Sequence, residues 1–339
     1  MFSTTIFIIC LLLLFIVSAS IWAVSLAFGL RLARVREYNW RQIWLTTAIV
    51  SVVGLLITIV FAFFEISSSK WTLLAGFLEL IAGSFASTFI ISKIFKLRMR
   101  LALKVWLPTL LSVAPVILIA VFIWRPFFFE TCVSPTNSMA PVILGTHWQS
   151  HCPICDQVNV CSPVEVSGKL PRLRMICENF HVESVRPESV ELHGPDHFLV
   201  NKLISPERWD LITFVSPPDP SSQYVFRLVG LPGETVRIEE GAVWIDDEKL
   251  SVPEELAGIS YTDSWPNRPA SQLSGTSANP ATLGDDEYFV LGDFSYRAFD
   301  SRLWPFGFTG HNQFAIPKSK IIGVVTHVYW PPSRMRILK

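Results

Sequence analysis

A surplus of charge of either sign is the first thing this sequence lacks. Its 28 Lys and Arg balance 28 Asp and Glu, so the formal net charge of the 339 residues is zero. Without a basic surplus there is no electrostatic footprint for nucleic acid, and no nucleic-acid partner is expected. Internal repeats are absent too, so a stacked-repeat architecture is not expected. The first apolar run has no basic stretch before it and is too long for a cleavable secretory signal, so it reads as a retained anchor. Ionisable groups are also scarce in the apolar spans. Glu79 has no second acid or base with it there, and no span reads as a broken helix. That argues against a channel or transporter and favours a protonated or partnered Glu79 facing another helix.

Apolar residues make up half of the composition and crowd into the first third. Four runs, 5–30, 43–64, 71–91 and 105–124, are long enough to cross the hydrocarbon core as helices, which takes about 20 residues. The loop after the first carries Arg31, Arg34, Arg36 and Arg41, and the loop after the third carries Lys93, Lys96, Arg98, Arg100 and Lys104. Loop 65–70 has one charge of each sign. Basic loops stay cytoplasmic, so the N-terminus and everything after Trp124 are expected outside.

The stretch after the last span, residues 134–145 (SPTNSMAPVILG), sets Ser138 before Met139 and Pro141. A serine hydroxyl needs a neighbouring base to become a nucleophile, and its transition state needs donors aimed at the oxyanion. Two later stretches accompany it, YVFRLVGLPGETV at 224–236 and VLGDFSYRAFDSRLW at 290–304. Strand patterns fall at 197–203, 209–215, 224–229, 235–238, 242–245 and 320–330, and the Pro-, Ser- and Gly-rich excursion 250–285 reads as an exposed loop.

These boxes, in this order behind a membrane anchor, resemble the type I signal peptidases, membrane serine endopeptidases that use a serine–lysine pair. The resemblance covers about 127–145 and 197–330. It implies a mainly β catalytic domain on a membrane anchor. It makes Ser138 the nucleophile, Thr136 the hydroxyl donor to the oxyanion, and Arg227, Asp293, Asp300, Ser301 and Arg302 the residues that shape the site, with Asp300 and Arg302 as an ion pair. Asp210 matches the family's aspartate between two strands. The sequence departs from the pattern twice. Phe226 stands where the family has its lysine base, directly before Arg227, and Ala298 stands where a serine orients that lysine. Arg227 cannot replace the base, because a guanidinium stays protonated. His197 is the remaining candidate for a substitute; His193, His311 and His327 carry no motif.

Between 147 and 196 lies an insert outside the resemblance. Cys152 and Cys155 form a C-x2-C pair, and Cys177 and His181 a C-x3-H pair. Two pairs of soft ligands suit a tetrahedral structural zinc site. Cys161, His147 and His151 are rival ligands. Disulfides among Cys152, Cys155, Cys161 and Cys177 are the alternative in an oxidising compartment, and free thiols a third.

The expected organisation is a four-helix anchor (1–125), a signal peptidase-like domain (126–146 and 197–339) and a Cys/His-rich insert (147–196). The expected protein sits in the cytoplasmic membrane, removes signal peptides from exported preproteins and needs no catalytic cofactor. The alternative is a homologue that binds exported or membrane segments without cleaving them.

Overall fold

The computed structural model describes residues 2–35, 37–66, 72–119, 121–122, 125–165, 171–187, 191–217, 219–266 and 268–338. Arg36 and loop residues 67–70 of the topology argument lie outside these, as do Trp71 and Trp124, which bound two expected spans. The chain divides into two compact units, Met1–Arg125 and Pro126–Lys339.

The first unit is helical: α1 (Phe2–Leu32), α2 (Trp40–Ile66), α3 (Thr72–Ile94), α4 (Met99–Trp106) and α5 (Val113–Ile119). Among the described residues, four segments are long and apolar enough to cross a membrane: Leu12–Leu32, Trp40–Phe61, Gly76–Ile94 and Met99–Ile119. The last is not one continuous α-helix, contrary to the expectation of unbroken spans. A 3-10 stretch, Leu107–Ser112, separates α4 from α5. Pro108 has no N–H to continue the α ladder there, and the Thr109 and Ser112 hydroxyls donate to the Trp106 and Thr109 carbonyls instead. Glu79 is partnered, as its cost in an apolar span requires: the Thr58 hydroxyl on α2 donates to it at 2.6 Å.

The second unit is mainly β. Its strands are β1 (Phe129–Val133), β2 (Trp148–His151), β3 (Val158–Cys161), β4 (Leu173–Cys177), β5 (Val182–Val185), β6 (His197–Asn201), β7 (Leu211–Val215), β8 (Gln223–Gly230), β9 (Thr235–Glu239), β10 (Ala242–Ile245), β11 (Glu248–Lys249), β12 (Ala281–Thr282), β13 (Glu287–Leu291), β14 (Ile316–Pro317), β15 (Ile321–Trp330) and β16 (Arg336–Ile337). The main sheet runs β1-β6-β15-β7-β8-β13-β14, with β16 on β15. β9 to β12 make a second sheet, and β2 to β5 a third, within the expected insert 147–196.

β8 explains why the central strands read as continuous apolar runs. Phe226 and Leu228 project into one hydrophobic cluster with Met139, Phe214 and Trp304, while Val229 enters a second with Trp209, Phe289 and Phe294. Both faces are covered, so period-two alternation is lost. The insert sheet is two-faced. Val160 and Ile176 enter the same cluster as Val229, while Trp148, Cys161 and Met175 form a small core on the other side. The 250–285 excursion is not simply an exposed loop. Leu256, Tyr261, Leu273, Ala281 and Leu283 are buried, because widely spaced apolar residues anchor a segment whose turns face solvent.

Candidate functional site

β1 leads into the Ser138 stretch, whose backbone is held by side chains. The Asn137 amide donates to the Thr146 carbonyl at 2.8 Å and accepts from the Gly145 N–H at 2.9 Å. Asp196 accepts the Leu144 N–H at 2.9 Å. Gly145 has to be glycine because Thr136 passes against it: a β-carbon there would lie 2.6 Å from the Thr136 carbonyl. Arg334 grips Asp196 at 2.8 Å and the Pro141 carbonyl at 3.1 Å. Sequence reasoning missed Asn137, Asp196 and Arg334. Only the asparagine, next to the key serine, carried a local signal.

Met139 and Ala140 are buried, and Ser138 between Asn137 and Met139 stays half-exposed. Its Oγ lies 3.3 Å from Thr136 Oγ1. Among the described residues that is its one side-chain partner, and its backbone N–H has no acceptor. The Ser138 carbonyl accepts the Phe294 N–H at 3.0 Å, tying the first box to the third.

Phe226 and Ala298 close over the same point. A β-carbon on Gly292 would meet Ala298 Cβ, the Ser138 carbonyl oxygen and the Phe226 ring. Phe226 packs against Phe214 and Tyr224 at ring separations of 6.1 and 5.9 Å. The surroundings of Ser138 are therefore apolar on this side. His197 faces elsewhere, its ring edge-on to Tyr329 at 5.9 Å.

Behind the apolar patch lie two buried ion pairs. Arg227 forks onto Asp293 at 2.7 and 2.5 Å and donates to the Trp209 carbonyl at 2.6 Å. Burial works against the Arg227 charge, but Asp293 outweighs it and the guanidinium pKa is raised. Arg302 forks onto Asp300 at 2.8 and 2.7 Å and also reaches the Ser295 hydroxyl and the Thr262 carbonyl. Asp300 accepts the Gly292 N–H, and Ser301 the Val290 N–H. Asp210 accepts the Glu207 N–H in the turn before β7, and burial raises its pKa.

In the insert, the donor atoms of Cys152, Cys155, Cys177 and His181 all lie within 4.8 Å of one another. Cys155 and Cys177 Sγ are 3.7 Å apart, and Cys152 Sγ is 3.8 Å from His181 Nδ1. A zinc tetrahedron with Zn–S bonds of about 2.3 Å has S···S edges of about 3.8 Å. Among the described cysteines no disulfide forms. The rivals are elsewhere. Cys161 is buried in the small core, which pushes its thiol up to about 11. His147 stacks on His193, and His151 is exposed beside Asp156. The Gln157 N–H, helped by Asn179, His181 and Cys152, lowers Cys155 to about 6 against the opposing effect of burial, whereas burial raises Cys177 to about 11.

The family described as signal peptidase, peptidase S26, matches residues 173–330. A probable signal peptidase I-2 of Synechocystis is 27% identical over 143 residues, covering 40% of this chain and 54% of the relative. Signal peptidase I of Rickettsia prowazekii is 28% identical over 148 residues, 37% and 54% of the two chains. Signal peptidase I P of Bacillus subtilis subsp. natto is 29% identical over 175 residues, 49% and 87%. A solved signal peptidase I from Enterococcus faecalis is 27% identical, with 36% of this chain and 98% of that one covered and a TM-score of 0.27. The chain spans about half the length of the first two relatives. Its β-rich unit is a signal peptidase domain, and the chain is similar to the type I signal peptidases. The family match begins at 173 and leaves Ser138 outside it.

Proposed function

We propose that this chain acts on the signal peptides of exported preproteins at the cytoplasmic membrane, as a signal peptidase-type serine endopeptidase. Ser138 is the nucleophile, and its N–H and the Thr136 hydroxyl are the oxyanion donors. The observation that carries the reading is the 3.3 Å pairing of a half-exposed Ser138 with Thr136, in a turn tied to the Gly292–Arg302 box through Phe294. The β-rich unit and the N-terminus lie outside, with the basic loops inside.

Phe226 and Ala298 favour a second reading, a groove that binds signal peptides without cutting them. Both are buried beside the Ser138 carbonyl, and neither accepts a proton. Loss of a general base costs about 10²–10⁴-fold in rate. Cleavage of a signal-peptide-bearing preprotein in liposomes separates the readings. The comparison is between wild type, Ser138→Ala, and Phe226→Lys with Ala298→Ser. Wild-type cleavage that disappears in Ser138→Ala supports the peptidase; cleavage by the double variant alone supports the binding groove. If no protein cleaves and none crosslinks to the preprotein, both readings fall.

In the same reading Cys152, Cys155, Cys177 and His181 hold a structural zinc ion. Three thiolates and an imidazole fill a tetrahedron and leave no open position for catalysis. Metal analysis of the purified full chain tests this, with one zinc per chain expected and none in Cys155→Ser.

A further inference from the structure

We propose that the metal centre of the insert positions the nucleophile turn, so that engagement of signal peptides depends on occupancy of the Cys152–Cys155–Cys177–His181 site. The inference rests on the zinc and signal-peptide assignments just made and adds a coupling between them.

An orphaned buried amide points to a ligand at the cluster. Asn159 is wholly buried, and neither its Oδ1 nor its Nδ2 has a partner among the described residues. The β3–β4 register sets Asn159 opposite Cys177. Directly paired residues of antiparallel strands project to the same face. The register therefore puts an unused N–H donor on the face of a cluster thiol. Thiolates gathered around a cation are the acceptors such a donor requires.

Three routes run from this sheet to Ser138. The first follows β3: Ser162, one residue past it, accepts from the Asn137 amide at 3.1 Å, and Asn137 directly precedes Ser138. The second starts inside the Cys177–His181 turn, where Glu178 faces Arg334 at 3.9 Å and Arg334 holds the Pro141 carbonyl and Asp196. The third starts on β4, where Arg174 lies over the Tyr296 ring at 4.7 Å. Tyr296 is two residues past Phe294, whose N–H binds the Ser138 carbonyl. Phe180, also inside the Cys177–His181 turn, is buried in the cluster that contains Trp209 and Val229. The cluster links the hairpin after β2 to the end of β4. A cation there removes the freedom of those two segments to separate, and the three routes pass that restraint to the turn on both sides of Ser138.

The test uses the full chain in detergent, loaded with zinc, stripped with a chelator and then reloaded. Hydrogen exchange is read at residues 134–145, and crosslinking to a photoreactive signal peptide is read in parallel. Stripping is expected to speed exchange at 134–145 at least tenfold, leave β7 and β8 protected and weaken crosslinking; added zinc restores all three. Cys155→Ser is expected to reproduce the stripped state. Ser162→Ala is expected to keep its zinc yet speed exchange at Ala140–Gly145 and shrink the further change that stripping produces there, because the first route is already cut. The proposal is overturned if stripped and loaded proteins exchange alike at 134–145, if the purified chain takes up no zinc, or if Ser162→Ala leaves the turn unchanged. If neither loaded nor stripped protein crosslinks the peptide, the functional reading fails, while the exchange result still decides the coupling.

Discussion

The Phe226 ring and the Ala298 methyl meet at Gly292. A β-carbon on that glycine would lie 3.2 Å from Phe226 Cε1, 2.2 Å from Ala298 Cβ and 2.9 Å from the Ser138 carbonyl oxygen. Two residues far apart in sequence thus fill one space beside the same serine. Each keeps the other's environment apolar: a hydroxyl at 298 would be buried without a partner beside a phenyl ring, and an amine at 226 would be buried beside a methyl.

That mutual fit predicts non-additivity. Phe226→Lys alone is expected to destabilise the chain by about 3 kcal/mol, because it removes a packed ring and buries an unpartnered amine. Ala298→Ser in the same chain is expected to recover part of the loss by supplying a hydrogen-bond partner. Thermal unfolding of the two single variants and the double variant in detergent gives the coupling; strict additivity would show that positions 226 and 298 do not share a pocket.

Gly292→Ala is expected to cost about 1–3 kcal/mol through overpacking. Ala298→Gly should return part of it by clearing the closest contact. Unfolding midpoints of the single and double variants check this.

The Arg227–Asp293 pair is almost wholly out of water, its side chains 1% and 0% exposed. Asp293→Ala leaves a buried guanidinium unpaired and is expected to cost about 3–5 kcal/mol. Replacing both partners, as Arg227→Met with Asp293→Ala, is expected to cost less than the single change. Denaturant unfolding distinguishes a structural pair from one whose loss affects only preprotein crosslinking.

Stability near neutral pH is expected to depend on His147. Burial lowers its pKa, and His193 and Arg334 act in the same direction, while Gly145 and Asp196 oppose them. Nδ1 contacts the Gly145 carbonyl at 2.8 Å, which can only accept, so Nδ1 carries the proton of the neutral ring. The unfolded chain takes up a proton near pH 6.5 and the folded chain only below that. The stability contribution is therefore complete above about pH 6.5 and is lost as pH falls from there towards the lowered folded value. The midpoint–pH slope between about pH 7.5 and 5.5 should flatten in His147→Asn.

Much of the architecture is legible from local pattern. Apolar runs of membrane length need no partner to be recognised, and the first three follow as single helices. β6, β7, β9, β10 and β15 fall where alternation and turn residues place them. Other features depend on distant chain. The break at Leu107–Ser112 turns on one proline inside an otherwise uniform run. The burial of Leu256, Tyr261 and Leu273 is hidden in a composition that reads as loop. Arg334 gives no sign in its own neighbourhood that it holds Asp196 and Pro141 from the far end of the chain.

By itself the sequence determined the chemical inventory. It supplies Ser138 and Thr136 in one box, Phe226 and Ala298 in the two later ones, and three cysteines and a histidine in two pairs. Tertiary structure decided which of these meet. It brought Phe226 and Ala298 together at Gly292, gave Arg227 to Asp293 and Arg302 to Asp300, gathered four ligands and left Cys161, His147 and His151 out. The physical reason is reach: residue type acts over a hydrogen bond or a van der Waals contact, and only the register of strands distant in sequence brings those atoms within that range.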